Sequence, residues 1–179
     1  MNKNNNISTA FKFSKTDSKI IENIIEYEGT PEAILRFEEL SEQLSDYSYW
    51  FLLSTLWVSY TGYTELETWK RLFSSSRANK SISLMKPDEL YELKKLPNKI
   101  LAYRVHRKDE TDWIAYTLDF DVALRFAKER ETDEITVYKI KKNSILSLFL
   151  RRGEFEVLVL DKDRAQQVTT IKIDDKTCR

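Results

Sequence analysis

The hydrophobic spacing of this chain changes once, close to Pro97, and that change limits the folds it can adopt. Before Pro97, apolar residues such as the isoleucines of 20–25 recur at helical spacing. After it, short runs such as 134–140 are β-branched and alternate as strands do. The pattern predicts an α+β protein with a helical N-terminal lobe over 1–97 and a strand-rich mixed α/β core over 98–179. We expect the two to form one compact unit.

Cap and turn signals divide the first half into helices. Thr30 and Pro31 suit the N-cap and the first position of a helix. The residues expected along the buried side of that helix are Ile34, Leu35, Leu40 and Leu44. Thr64 opens a capping box for a later helix, and Pro87 begins the last one. The serine-rich stretch 74–83 is predicted to be a loop.

The second half is expected to hold one helix among several strands. Asp119 can cap that helix, which carries apolar residues at helical spacing. Residues 144–150 form an apolar run that fits either a helix or a strand. The predicted strands are 99–105, 113–117, 134–140, 155–160 and 168–173.

Composition excludes several classes of function. Lys+Arg and Asp+Glu both number 29, so overall charge favours neither nucleic acid nor a membrane surface as a partner. Cys178 is the single cysteine and His106 the single histidine, which excludes an intrachain disulfide and a structural zinc site. No secretory signal follows Met1. We therefore expect a cytoplasmic protein without a metal.

Glycine is scarce, and this limits how the chain can bind a nucleotide. Its three glycines, Gly29, Gly62 and Gly153, are too far apart for a phosphate-binding loop or a dinucleotide fingerprint. Basic clusters at 139–142 and 151–152 leave nucleic-acid binding open as a weaker alternative.

Three separated elements of the second half carry side chains that could form one active site. They are Tyr103-Arg104 on a strand, the segment 115–119 running from a strand into a helix, and Glu154-Phe155-Glu156 at the start of a later strand. Because side chains alternate along a strand, the two glutamates are predicted to share a face. Two carboxylates side by side repel each other, which raises the pKa of at least one of them. Such a pair needs water, a cation or a ligand beside it.

The ordered set resembles the arginine class of ADP-ribosyltransferases, over roughly residues 100–173. That family carries an arginine on its first core strand, a Ser-Thr-Ser strand that leads into a helix, and a Glu-x-Glu pair on a later strand. The resemblance implies that NAD is a substrate and that Glu156 is the catalytic glutamate. Glu154 would orient or deprotonate the acceptor.

The same resemblance implies a set of residues that contact NAD. Arg104, which follows Tyr103 as the family's arginine often follows a tyrosine, would bind the phosphates through its planar guanidinium. Thr117 would stand for the last residue of the Ser-Thr-Ser element. Tyr116, Trp113 or Phe155 would stack on nicotinamide or adenine. The function implied is mono-ADP-ribosylation of a macromolecular target, whose identity the sequence leaves open.

The chain departs from the family pattern on the second strand. Ala115 stands at the first serine, which in the family hydrogen-bonds the catalytic glutamate, and Tyr116 stands at the central threonine. The alternative is therefore a catalytically inactive fold that binds a nucleotide or a protein. Such a protein could be a phage-encoded inhibitor directed at host machinery.

Simpler interpretations of the same residues also remain. Arg104 can pair with a nearby carboxylate, and the two glutamates can be a solvated edge or partners of Arg151 and Arg152. Thr117 fits an ordinary strand position equally well. His106, next to two basic residues, is predicted to be a surface histidine.

Overall fold

The structure, a computed structural model, describes residues 6–60 and 65–173. Gly62, Cys178 and Thr64, the last of which opens the predicted capping box, lie outside these ranges. The chain divides into two compact units, Met1–Tyr91 and Glu92–Arg179. The association of the two units into one compact body stays a prediction.

The described part of the first unit is helical, as predicted. Its helices are α1 (Lys15–Ile25), α2 (Pro31–Leu40), α3 (Asp46–Ser59), α4 (Leu66–Phe73), α5 (Lys80–Leu84) and α6 (Pro87–Lys95), the last of which continues into the second unit. A single 3-10 turn follows α2. Apolar side chains of α2, α3 and α4 form the core around Trp50, Phe37 and Phe73, each fully buried.

Three details of this unit differ from the sequence prediction. Leu35 is 55% exposed, because the buried side of α2 is set by Ile34 and Phe37 and Leu35 points about 100° away from Ile34. Leu44 is buried but lies in extended backbone beyond the helix. The predicted loop 74–83 contains the start of α5, whose last residues are buried, so that packing outweighs the weak helix propensity of its serines.

The second unit is built on one antiparallel sheet of six strands. The strands are β1 (Lys99–Arg104), β2 (Ala115–Thr117), β3 (Glu134–Lys141), β4 (Ser147–Phe149), β5 (Glu156–Leu158) and β6 (Ala165–Lys172), with α7 (Phe120–Glu129) between β2 and β3. Their order is β4-β5-β2-β1-β3-β6. The predicted α+β class is confirmed, and the undecided run 144–150 contains a strand. The central neighbours β1, β2 and β5 are the three strands that carry the candidate residues.

Each face of this sheet packs against different groups. One face carries a buried cluster that includes Ala102, Tyr116, Tyr138 and Val157; we call it the tyrosine face. The other, the α7 face, packs against Ala123 and Ala127 of α7, among other residues. Because directly opposed residues share a face, the register assigns every strand residue to one of the two.

The connection from β2 to α7 follows the sequence prediction. Asp119 is the N-cap, and its carboxylate accepts hydrogen bonds from the backbone amides of Asp121 and Val122. Val122, Ala123 and Ala127 are buried on the side that packs against the sheet. The cap, two residues after Thr117, therefore fixes the start of α7 at Phe120 and holds the helix over the α7 face.

Adjacent residues of α2 provide a test of the first unit's core. Ile34 is 1% exposed and Leu35 is 55% exposed. We expect Ile34→Ala to lower the free energy of unfolding by about 2–5 kcal/mol through lost burial and a cavity. The matched control Leu35→Ala should stay within about 0.5 kcal/mol of the wild type. Urea unfolding measures both, and equal losses would contradict this packing.

Candidate functional site

Three of the candidate residues form a row across the centre of the sheet. Tyr103 of β1 lies opposite Thr117 of β2, and Thr117 lies opposite Glu156 of β5. Directly opposed side chains are neighbours on the same face, here the α7 face. Thr117 is thus the direct neighbour of two residues that lie far from it in sequence, one on each side. Because the pairing is residue to residue, a shift by one position would separate them.

The junction between β2 and β5 is fixed by side-chain and backbone bonds. The Thr117 hydroxyl donates to the backbone carbonyl of Glu154, with 2.6 Å between the oxygens. The Leu118 amide donates to the Phe155 carbonyl at 3.0 Å. Thr117 is buried, and its hydroxyl also accepts from the Asp119 amide. The residue expected to contact NAD therefore has a structural role here, because it ties the start of β5 to β2.

The two glutamates reach the α7 face by different routes. Glu156 is the first residue of β5, whereas Glu154 precedes the strand. Phe155, between them, has a positive φ of 46°, so the regular alternation assumed from the sequence does not hold at this point. Glu154 nevertheless lies on the same side, because its carboxylate pairs with Arg125 of α7.

Cations of the chain itself surround the Glu154 carboxylate. Arg152 donates from Nη2 to Oε2 at 2.9 Å, and Nη2 of Arg125 lies 3.7 Å from Oε1. The carboxylate is 16% exposed, whereas the Arg152 and Arg125 side chains are 39% and 50% exposed. The sequence predicted that neighbouring carboxylates would need water, a cation or a ligand, and named Arg152 as a possible partner; two arginines, one of them Arg152, lie beside Glu154.

Arg104, the proposed phosphate ligand, belongs to a different cluster. It occupies the position after Tyr103, so its side chain leaves the sheet on the tyrosine face. Its Nε and Nη2 donate to the two oxygens of Glu110 at 3.1 and 2.5 Å, and its Nη1 donates to the Ala115 carbonyl at 2.6 Å. The side chains of Arg104 and Glu110 are 13% and 15% exposed. Arg104 is therefore bound within the chain as an ion pair, and it does not share a face with Glu156.

His106 joins the same cluster and is not the surface histidine that the sequence predicted. Its Nδ1 lies 2.9 Å from Glu110 Oε2, and its Nε2 lies 2.8 Å from the Tyr138 hydroxyl. An ionised carboxylate only accepts, so Nδ1 carries a proton, and in the neutral imidazole Nε2 accepts from Tyr138. The Trp113 ring packs edge-on against His106, with centroids 4.3 Å apart. Partners on both sides keep the imidazole in place.

The residues proposed to stack on NAD differ in accessibility. Tyr116 is 2% exposed, and its hydroxyl accepts from the Trp113 indole at 2.9 Å. Neither ring face of Tyr116 is therefore open to a ligand in this structure. Burial raises the pKa of the Tyr116 hydroxyl above its ordinary value. Trp113 is half-buried, and Phe155, at 45% exposed, is the most accessible of the three.

The electrostatics of the Arg104 cluster depend on Glu110. Burial alone would raise the pKa of this carboxyl group, but hydrogen bonds from His106 and Arg104 and the charge of Arg104 outweigh it. The pKa falls to about 2, so Glu110 is ionised at physiological pH. Burial, and to a lesser degree Glu110, raises the pKa of Tyr138, which keeps that hydroxyl protonated.

Two residues of this cluster, Glu110 and Tyr138, were not found by the sequence reasoning. His106 and Glu110 are four residues apart, but they lie in a turn, where helical spacing has no predictive value. Tyr138 comes next to them only because β3 pairs with β1, with Ala102 opposite Tyr138. The sequence did suggest that Arg104 could pair with a nearby carboxylate, and the structure identifies that carboxylate as Glu110.

Comparison with protein-family models, with curated protein sequences and with solved structures gives no match. Across residues 6–60 and 65–173, no helix has the length and apolar character needed to cross a membrane. In the same part of the chain, no three His, Cys, Asp or Glu side chains are grouped so as to hold a metal ion.

The lowered pKa of Glu110 predicts how acid affects the fold. The folded pKa of about 2 lies below 4.5, the ordinary pKa of a glutamate. The interactions of ionised Glu110 with Arg104 and His106 therefore stabilise the fold fully above pH 4.5. That contribution is lost as the pH falls from 4.5 toward 2. Glu110→Gln should be less stable than the wild type at pH 7, and the difference should shrink over this window. Urea unfolding at a series of pH values measures it, and a difference independent of pH would contradict the assignment.

Proposed function

We propose that this chain is an ADP-ribosyltransferase-like protein that uses NAD to modify a macromolecular target, with Glu156 as the catalytic carboxylate. The observation that supports it is the row formed by Tyr103, Thr117 and Glu156 on neighbouring strands. A reaction that needs groups from three separated motifs requires those motifs to meet, and their strands are adjacent. The exit from β2 into a capped helix also agrees with the resemblance.

The proposed chemistry is transfer at the anomeric carbon of the nicotinamide ribose. The bond from C1′ to the nicotinamide nitrogen breaks, and its electron pair leaves with neutral nicotinamide. Positive charge develops on the ribose, and the carboxylate of Glu156 stabilises it electrostatically. A nucleophile of the acceptor then forms the new bond to C1′ and gives up a proton to a base, a role proposed for Glu154.

The geometry changes what is proposed for the NAD ligands. The family arginine, Arg104, is engaged by Glu110 on the tyrosine face, so it could bind the phosphates only after exchanging that partner. Tyr103 lies on the α7 face beside Thr117, with its ring 5.3 Å from that of Phe120 of α7. We therefore assign the nicotinamide end of NAD to the α7 face and leave Arg104 as a phosphate ligand conditional on release from Glu110.

A second candidate function is nucleotide or protein binding without transfer. Ala115 provides no hydroxyl on the α7 face, and the Thr117 hydroxyl is already bonded to the Glu154 carbonyl. Neither position of the Ser-Thr-Ser element therefore offers Glu156 a free hydroxyl. Such a protein would bind NAD or ADP-ribose without releasing nicotinamide, or would act as an inhibitor by binding another protein.

Substitution of Glu156 provides the test that separates the two. We expect Glu156→Gln to keep the fold and to lower transfer by about 10²–10³-fold, because charge stabilisation at the ribose is lost. Labelled NAD incubated with a bacterial lysate and each protein measures transfer, and nicotinamide release measures turnover. Glu129→Gln, an exposed carboxylate of α7, is the matched control and should keep wild-type activity.

The outcomes separate clearly once circular dichroism shows that each variant is folded. Transfer by the wild type and by Glu129→Gln, with loss in Glu156→Gln, supports the enzyme. Full transfer by Glu156→Gln contradicts the role of Glu156. NAD binding without nicotinamide release in the wild type favours the second candidate.

A further inference from the structure

β6 forms one edge of the sheet, and its outer side is open in the part of the chain that the structure describes. The strand order places β6 next to β3 alone. β6 has eight residues, of which 166–170 and Lys172 are exposed. No backbone hydrogen bond joins its outer side to another described residue. A row of unpaired amides and carbonyls is a template on which another strand can pair.

The sequence of β6 lacks most of the features that keep an edge strand from pairing. From Ala165 to Ile171 it contains no charged residue and no proline. Val168 and the two threonines after it favour extended backbone. The one protective feature is a β-bulge in the pairing with β3. A bulge protects an edge because a regular incoming strand does not match its spacing.

The hydrogen bonds of β3 determine which residues of β6 point outward. The Ile173 amide donates to the Asp133 carbonyl at 2.7 Å, and the Lys142 amide donates to the Asn98 carbonyl, beside β1, at 3.0 Å. Odd-numbered residues of β3 therefore bond toward β6, and even-numbered ones bond toward β1. The β6 residues opposite the even-numbered ones direct their amides and carbonyls outward, and they are Ala165, Gln167, Thr170 and Lys172.

The bulge makes this set of outward groups symmetric. Val168 has no opposed residue on β3, so the outward positions change from odd to even between Gln167 and Thr170. The set is therefore symmetric about a point between Val168 and Thr169. Gln167 mirrors Thr170, and the first residue of the strand mirrors the last. A second β6 with the same bulge meets each outward group with an outward group, whereas a regular strand falls out of register at the bulge.

We propose that the partner of this edge is a second copy of the chain, with the two β6 strands antiparallel about a twofold axis between Val168 and Thr169. The four outward residues of each copy form opposed pairs, and each pair exchanges two backbone hydrogen bonds. Gln167 of one copy lies opposite Thr170 of the other. Both side chains are on the tyrosine face, because Gln167 and Thr170 lie opposite even-numbered residues of β3, as Tyr138 is. An amide and a hydroxyl can bond there.

Pairing through β6 leaves the candidate site of each copy outside the contact, and it does not depend on the proposed function. Three strands separate β5 from β6, so Glu156 lies roughly 19 Å from the axis side of the sheet. A twofold axis between antiparallel strands is perpendicular to the sheet, so the α7 faces of both copies lie on the same side. A contact between sheet edges is smaller than a standard interface, and we expect a dissociation constant of roughly 1–100 µM.

Thr170→Pro tests the pairing, because the Thr170 amide points outward. Proline removes that amide but no hydrogen bond between β3 and β6, so the monomer should keep its fold. The dimer loses one bond from each copy, and its dissociation constant should rise roughly tenfold or more. Thr170→Val keeps the amide and a branched side chain and is the matched control. Sedimentation of the full chain over a dilution series measures dimerisation, and circular dichroism verifies the fold.

A pair of charges tests the register. In Gln167→Lys with Thr170→Glu, each lysine faces a glutamate of the other copy, so the dimer should persist. In Gln167→Lys with Thr170→Lys, like charges face each other across the axis. The second variant should dimerise roughly tenfold more weakly than the first.

Each result supports or overturns the inference. A dimer that Thr170→Pro disrupts and Thr170→Val keeps, with the two charge variants in the expected order, supports it. A chain that stays monomeric up to about 1 mM overturns it, as does a dimer that Thr170→Pro leaves unchanged. Equal dimerisation of the charge variants overturns the register. Protection of the Thr170 amide from hydrogen exchange only when a different protein is added assigns the edge to another partner and overturns the second copy.

Discussion

The pairing of β2 with β5 is the contact on which the candidate site depends. It places Thr117 opposite Glu156, and the Thr117 hydroxyl and the Leu118 amide hold the backbone of the two residues before β5. Both strands are short, with three residues each, so few ladder bonds maintain their register. The side-chain bond from Thr117 compensates, because it fixes Glu154 where two arginines reach it. A slip by one residue would move Glu156 to the tyrosine face and separate it from Thr117 and Tyr103.

The sheet keeps two sets of charged groups apart. On the tyrosine face, Glu110 binds both Arg104 and His106. Because Glu110 and Arg104 are largely buried, removing one partner would be costly, on the order of 3 kcal/mol. On the α7 face, Glu154 is buried to a similar degree, but its two arginines are more exposed, so exchanging a partner there costs less. A site that must receive a substrate is better served by the second arrangement, which is why the proposed chemistry is assigned to the α7 face.

Much of the fold could be predicted from the sequence because local signals and tertiary packing agree. The change of period near Pro97, the cap at Asp119 and the strand over 134–140 all appear in the structure. The errors occur where packing or backbone conformation overrides the local pattern. Leu35 is exposed because Ile34 and Phe37 define the buried side of α2. Phe155 has a left-handed backbone conformation, which the alternation of strand side chains does not predict.

The candidate site was predictable as three motifs but not as a geometry, since the partner of Arg104 comes from a turn and the strand order is a property of the whole sheet. The most direct measurement is a crystal structure of Glu156→Gln with NAD, because this variant should bind NAD without consuming it. The account predicts the nicotinamide ribose on the α7 face, within contact of Gln at position 156 and next to Thr117. NAD bound on the tyrosine face, or elsewhere on the molecule, would contradict it.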